Sequence, residues 1–530
     1  MAKPIVLIAE ELSPATVGAL GSGFDIRHVD GTDRNALLKA VAGARALLVR
    51  SATSVDAEVI AAGQQLAVIA RAGVGLDNVD IKAATAAGIM VVNAPTSNVV
   101  SAAELAIGHV LSLARFIPDA NHSVKEGEWK RSAFTGAELY DKTVGIVGLG
   151  RIGALVAERL AGFGVALIAY DPYVPPARAQ QLGVHMVELD ELMRQSDFIT
   201  IHIPKTPETT GLIGSREFAL AKNSLRIVNA SRGGIIDESA LFDALSTKRI
   251  AGAALDVFVS EPPTNSPLLT LDNIQLTPHL GASTDEAQEK AGVAVAKSVR
   301  LALEGELVPD AVNVAGGAIH ESVRPGLSLM ENLGQVFAGL ASLAIAAIDV
   351  EVRGEIAEHD VSVLKLAALK GVFSAISSEQ VSYVNAPLHA EQRGVSVRLV
   401  TETNSDDYRN LLTLRGTLVD GSQISVAGTL SGNRQAQKIV SINDFDVEVP
   451  LAQHLIVMLY TDRPGIVAVY GKEFGENNIN IAGMQIARQQ RGGDALSVLT
   501  VDSRVPEAVL ERVAAQIDAK LLKAIEVVEL

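Results

Sequence analysis

The run Val144-Gly145-Ile146-Val147-Gly148-Leu149-Gly150-Arg151-Ile152-Gly153 constrains this chain more than any other segment. An apolar strand, a turn with glycine at its first, third and sixth positions, and the opening of a helix are the parts of a pyrophosphate cradle. Gly148 permits the tight turn, Gly150 lets backbone amides approach phosphate oxygens, and Gly153 lets the helix pack close to the strand. The helix N-terminus adds partial positive charge. Glycine-rich turns also end ordinary hairpins, so the motif needs context. That context is a helix predicted over 154–163 and an apolar strand over 165–170 ending in Asp171, eighteen residues beyond Gly153. A carboxylate there accepts bonds from the adenosine ribose hydroxyls and repels a 2′-phosphate, which predicts NAD rather than NADP.

At 530 residues the chain is too long for one core and should divide into three or four domains. Its 48% hydrophobic and 20% charged residues describe a globular protein, and the N-terminus carries no basic, apolar leader. The apolar stretch 334–348 is rich in small residues and shorter than a bilayer needs, so it reads as a buried or interface helix. The absence of cysteine excludes disulfides, thiolate nucleophiles and cysteine metal sites; no metal is expected, and cytoplasm is the default location. A formal net charge of −16, with no long Lys/Arg block to offset it, argues against nucleic acid or membrane as partner. An anionic substrate then needs a locally cationic pocket.

Short Val/Ile-rich strands alternate with alanine-rich helices from residue 3, with strands predicted at 3–9, 46–50, 66–71 and 90–93. This parallel α/β unit precedes the glycine motif, so the nucleotide domain is inserted in it. A helix over 101–114 is followed by the motif strand, then strands at 198–201, 225–229, 252–255 and 274–277. Another helix, 285–304, should lead back to the first domain, after which comes the glycine-rich segment 313–318. Strands at 350–353, 395–401 and 413–419 carry no catalytic motif. Beyond Pro450 the order β-α-β-β-α-β is expected: strands at 454–460, 479–481, 495–501 and 525–528, with Asp462 capping the first helix and Pro464 in its first turn. The predicted domains are 1–97 with 291–316, 98–290, 317–452 and 453–530. The fold class is α/β: a Rossmann-like doubly wound domain inserted in a flavodoxin-like one, followed by an α+β unit and a βαββαβ domain.

Three segments at the carboxyl ends of the later strands carry most of the remaining chemistry: Asn229-Ala-Ser-Arg232-Gly-Gly, Asp256-Val-Phe-Val-Ser-Glu261-Pro-Pro and Thr277-Pro-His279-Leu-Gly-Ala. Ligands of open α/β sheets bind beyond those ends, so Arg232, Glu261 and His279 are expected to converge beside the nicotinamide. Moving a hydride from an alcohol carbon needs a base for the hydroxyl proton, and histidine serves near neutral pH. A carboxylate on its other ring nitrogen sets the tautomer, and an arginine binds a carboxylate and polarises the forming ketone.

These segments, with Gly148-Leu-Gly-Arg-Ile-Gly153, Gly252-Ala-Ala-Leu-Asp-Val-Phe258 and Pro278-His-Leu-Gly-Ala-Ser283, closely resemble the D-isomer-specific 2-hydroxyacid dehydrogenases. Within that family, Arg50-Ser-Ala-Thr53, Arg71-Ala-Gly-Val-Gly-Leu-Asp-Asn78 and Ser101-Ala-Ala-Glu104 resemble the branch acting on 3-phosphoglycerate. Asp462-Arg-Pro-Gly465 and Asn477-Asn-Ile-Asn480 resemble an ACT effector domain, and 317–452 the extra domain of the long form. The resemblance implies Arg232 as the carboxylate and carbonyl contact, Glu261 as partner of the base and His279 as that base. It implies Arg151 and Ile152 at the pyrophosphate, Asp171 at the ribose, and Ala230, Arg232, Asp256, His279 and Gly281 around the remaining cofactor. The Val74 and Gly75 amides would meet the substrate carboxylate. Arg50 and Arg71 are candidates for the phosphate, joined by Arg131 from a neighbouring subunit. Tyr460, Asp462 and Asn480 match effector positions, with L-serine the implied inhibitor and a homotetramer the implied assembly. Two other readings stay open: a different D-2-hydroxyacid dehydrogenase, and an NAD-sensing binding protein on the same scaffold.

Overall fold

The computed structural model describes residues 3–527 apart from 307, 315–318, 378, 380 and 491. The predicted glycine-rich segment therefore lies mostly outside the described residues, as does the last residue of the strand expected at 525–528.

Two parallel sheets form the first half. The first has five strands in the order Asp25–His28, Ile5–Ile8, Ala46–Val49, Val68–Arg71, Met90–Val92. That is the flavodoxin order, with its reversal between the strands Ile5–Ile8 and Ala46–Val49. The second has seven: Ile274–Leu276, Gly252–Leu255, Arg226–Asn229, Phe198–Ile201, Thr143–Val147, Ala166–Tyr170 and His185–Met186. Every pairing is parallel, and the order reverses at the strand that carries the glycine motif. The strands Ala46–Val49, Phe198–Ile201 and Gly252–Leu255 are buried at every position, as central strands covered on both faces must be. These strands are short and almost wholly Val, Ile, Leu, Ala or Phe, which is why they were legible.

The helix Asp285–Leu303 closes the insertion. Thr284 caps it by accepting from the Ala287 amide at 3.2 Å, and Asp285 and Glu286 in its first turn complement its dipole. Its Ala291, Val295, Ala296 and Val299 pack with Val6, Ile8, Leu48 and Val92, so the chain returns to the first sheet's core.

The next unit sets helices Pro325–Leu340 and Ser362–Ile376 against a six-stranded sheet that is antiparallel except where Ile345–Gly354 pairs with Ser396–Glu402. The expected helix over 334–348 is corrected here: the helix ends at Leu340 and a strand starts at Ile345. The small residues serve close packing instead. At Gly334 a Cβ would meet the Ala368 carbonyl at 2.6 Å, so the two helices cross at backbone contact.

The last unit is a four-stranded antiparallel sheet in the order Ile481–Arg488, Asp494–Val501, His454–Thr461, Leu521–Glu526, with helices Ile466–Glu476 and Glu507–Ile517. Alternate residues serve two cores. Ile456, Met458 and Tyr460 pack under its helices, while Leu455, Val457, Leu496, Val498 and Ile525 join the core built around Pro325–Leu340. Two local expectations are corrected. The helix starts at Ile466 with Gly465 as its cap, at φ +94°, so Pro464 precedes it, and the Asp462 carboxylate accepts from Arg488 instead. The second strand starts at Ile481, after Asn478 has turned with φ +55°. Among the described residues no single helix is long and apolar enough to cross a membrane.

Candidate active site

The cradle is built as its glycines require. Gly148 turns with φ +92°, and a Cβ at Gly153 would meet the Gly148 carbonyl at 2.0 Å, so only glycine lets the helix Arg151–Ala161 start so near the strand. Nothing lies within 4 Å of a Cβ built on Gly150, and no side chain caps the helix. Its first amides therefore face open space, the fit that a pyrophosphate needs. Asp171 at the end of the next strand accepts from the Leu149 amide at 2.9 Å and from the Tyr173 amide at 2.9 Å, which places its carboxylate at the lip of the same turn. Behind the turn His202 bonds Thr200 at 2.9 Å, and burial pushes its pKa down to about 4. A neutral ring there leaves the cradle's positive potential to the helix.

On the other side of the sheet's reversal, the exit loops of three strands meet. His279 Nδ1 lies 2.7 Å from Glu261 Oε2, while Glu261 Oε1 accepts the Phe258 amide at 3.0 Å. An ionised carboxylate can only accept, so Nδ1 carries the proton, and in the neutral ring Nε2 keeps the lone pair. His279 itself has φ +56°, a conformation rare outside glycine. Asp256 holds it there: its carbonyl accepts the His279 amide at 2.9 Å, and its carboxylate accepts the Leu280 and Gly281 amides at 2.7 and 2.9 Å and the Thr277 hydroxyl at 2.6 Å. Asp256 was expected around the cofactor. It is fully buried, and in the free chain its carboxylate bonds the loop that carries His279.

The Arg232 turn packs on this loop system, since a Cβ on Gly233 would meet the Phe258 carbonyl oxygen at 1.9 Å. The guanidinium donates to the Ser231 carbonyl at 2.7 Å and reaches over to the first sheet. A Cβ on Gly75 would meet its Nη2 at 2.7 Å, and Asp77 lies 3.9 Å from its Nε. Arg71 lies against Gly73, and its Nε is a buried donor without a hydrogen-bond partner among the described residues. Burial, then the positive charge of Arg232, lowers the Arg71 pKa, with Arg50 adding to it and Asp77 and Glu10 opposing. An acidic protein thus gathers three guanidinium groups at the face between its two parallel sheets. The Val74 and Gly75 amides donate to nothing among the described residues.

Arg50 is set by Glu10, whose carboxylate accepts the amides of Arg50, Ala52 and Thr53 at 2.8, 3.2 and 2.9 Å. It also lines a cavity of about 580 Å³ with His28 and Asp30. Arg131 stands in an exposed 3-10 turn, Arg131–Phe134. Ala230 approaches Gly281: a Cβ there would lie 3.8 Å from its carbonyl. Sequence reasoning missed Glu10, Asp77, Thr277 and His109. Glu10 and Asp77 had a signal, since both follow a strand's carboxyl end.

In the last unit Tyr460 lies on the strand His454–Thr461. It is 2% exposed, and its hydroxyl bonds Ser497 at 2.6 Å inside the core. Asp462 pairs with Arg488 at 3.1 Å and Asn480 with Asp502 at 2.7 Å. The register puts Arg488 opposite Ala495 and Ile481 opposite Val501, so the two lie at opposite ends of one sheet.

The family model described as D-isomer specific 2-hydroxyacid dehydrogenase, NAD binding domain, matches residues 107–281. Models for the D-3-phosphoglycerate dehydrogenase intervening domain and the ACT domain match 322–443 and 454–518. A solved putative D-isomer specific 2-hydroxyacid dehydrogenase from Polaromonas is 30% identical, with TM-score 0.55, covering 59% of this chain and all of its own. The NAD complex of formate dehydrogenase from Staphylococcus aureus is 33% identical, with TM-score 0.51, over 57% of this chain and 96% of its own. Fold and site thus define a D-isomer-specific 2-hydroxyacid dehydrogenase that uses NAD. A relative from Mycobacterium bovis named D-3-phosphoglycerate dehydrogenase is 50% identical over 99% of this chain and 100% of its own length. The chain belongs to the D-3-phosphoglycerate dehydrogenase family, in its long form with intervening and ACT domains.

Proposed function

We propose that this chain oxidises D-3-phosphoglycerate to 3-phosphohydroxypyruvate with NAD, the first step of L-serine synthesis, and that L-serine restrains it through the ACT domain. The observation that carries the chemistry is the 2.7 Å Glu261–His279 contact, which leaves His279 Nε2 as the free base. When bound, NAD supplies the acceptor for the C2 hydrogen and its electron pair. The hydroxyl proton passes to His279 Nε2, and Glu261 stabilises the imidazolium. Positioned proton transfer of this kind contributes about 10²- to 10⁴-fold. Arg232 holds the carboxylate and polarises the C2 oxygen as it becomes a ketone, with the Val74 and Gly75 amides on the same carboxylate. Arg71 and Arg50 take the phosphate, and Arg131 of a second copy completes that pocket. Arg71 brings a buried, unsatisfied donor, which an anion would satisfy.

NADH formation tests the reading. Turnover with 3-phosphoglycerate should exceed that with glycerate or lactate; a preference for an unphosphorylated acid would overturn it. A serine site that draws on both Asp462 and Asn480 needs two copies, since one sheet holds them apart, and the assembly proposed is a homotetramer. Serine should lower turnover in the native chain and lose most of that effect in Asp462→Ala. The predicted units 1–97 with 291–316, 98–290, 317–452 and 453–530 are the working division for this scheme.

A further inference from the structure

His279 is held in its left-handed conformation by a network that does not end at Asp256. The Thr277 hydroxyl has one proton, and it goes to Asp256 Oδ1 at 2.6 Å, because an ionised carboxylate has none to give. Thr277 Oγ1 also lies 3.2 Å from His109 Nε2. With its own proton committed, that oxygen can only accept, so His109 must be the donor and must carry its proton on Nε2. His109 is 5% exposed, on the helix Val99–Arg115 that follows the last strand of the first sheet. Burial lowers its pKa, against the opposing charge of Asp256, and this favours the neutral Nε2–H ring. The same helix grips the far end of the loop through the Ser101 hydroxyl, which donates to the Gly281 carbonyl at 2.9 Å.

We propose that His109 is a positioning residue for proton transfer at His279, acting through the Thr277 hydroxyl and the Asp256 carboxylate on the 279–281 backbone. The inference rests on the reading of His279 as the base. Removing the His109 donor frees the Thr277 hydroxyl to rotate, and Asp256 then loses the third of the bonds that fix its orientation. The loop relaxes from a backbone conformation that costs energy to hold. A displacement of that order at the reacting atoms lowers turnover without touching the cofactor cradle.

The test uses the full chain with His109→Met, which keeps volume and loses the donor, His109→Gln, which keeps an N–H, Thr277→Val, and the double variant His109→Met/Thr277→Val. His109→Met should lower kcat roughly tenfold with the KM for NAD unchanged, and His109→Gln should recover most of it. The double variant should be no slower than Thr277→Val alone, because the two act in series. A kcat within twofold of the parent in a folded His109→Met, or losses that multiply in the double variant, would overturn the inference. Nitrogen-15 NMR of the His109 ring in the unmodified chain reads the tautomer without relying on any variant's fold: Nε2–H supports the scheme and Nδ1–H overturns it. An inactive parent chain overturns the reading of the site and this inference with it, whereas an active parent with unaffected variants overturns the inference alone.

Discussion

Both parallel sheets solve the same problem with the same device and differ in how tightly they solve it. At the carboxyl end of one central strand, Glu10 accepts three backbone amides from the loop that carries Arg50. At the carboxyl end of another, Asp256 accepts two amides and a hydroxyl from the loop that carries His279. Asp256 is fully buried and tied onward to Thr277 and His109; Glu10 is partly exposed beside a cavity of about 580 Å³. The base has to keep its geometry through proton transfer, which the closed clamp provides. The arginine has only to meet a charged, mobile group, for which the open clamp suffices.

Four measurements can break or sharpen that contrast. His279→Asn should lower kcat by about 10²- to 10⁴-fold and leave NAD affinity near native, read by steady-state kinetics and a binding isotherm. Asp256→Asn turns one acceptor into a donor facing a backbone N–H, so it should cost about 1–3 kcal/mol of stability by thermal unfolding and lower kcat as well. Acidification separates the two halves through His202. Its folded pKa of about 4 lies below the ordinary histidine value of about 6.5, so between those values the unfolded chain binds the extra proton and stability falls as pH drops. The loss is on the order of 2 kcal/mol, and amide exchange should rise at Phe198–Ile201 before it rises at Ala46–Val49. Smallest is Glu10→Gln, expected to cost under about 1 kcal/mol and to raise the KM for 3-phosphoglycerate a few-fold with kcat kept. An equal fall in kcat for Glu10→Gln and Asp256→Asn would erase the distinction.

Local chemistry made much of this legible from the residues alone. Short apolar strands, a glycine turn and strand-end loops are each written in a few adjacent positions. The clamps are not, because they join distant parts of the chain: His109 and Thr277 are 168 positions apart, and Arg50 and Glu10 are 40. Asp256 stood out as a carboxylate beside a nucleotide site; its burial and its bonds to the Leu280 and Gly281 amides could not be read off. The burial of Tyr460 was hidden in the same way, since an alternating strand does not say which of its faces a second layer will cover. The stretch 334–348 carries no charged residue, and composition does not mark where a helix hands over to a strand.

The ACT sheet's second face has a practical consequence. Leu455, Val457, Leu496, Val498 and Ile525 are interior residues of the unit that precedes them. A chain cut near 452 would leave a greasy wall facing water, prone to clump with its neighbours. Deleting the tail is therefore a poor way to ask what it regulates, and any signal that starts in it has a hydrophobic seam, not a loose tether, through which to pull on the rest.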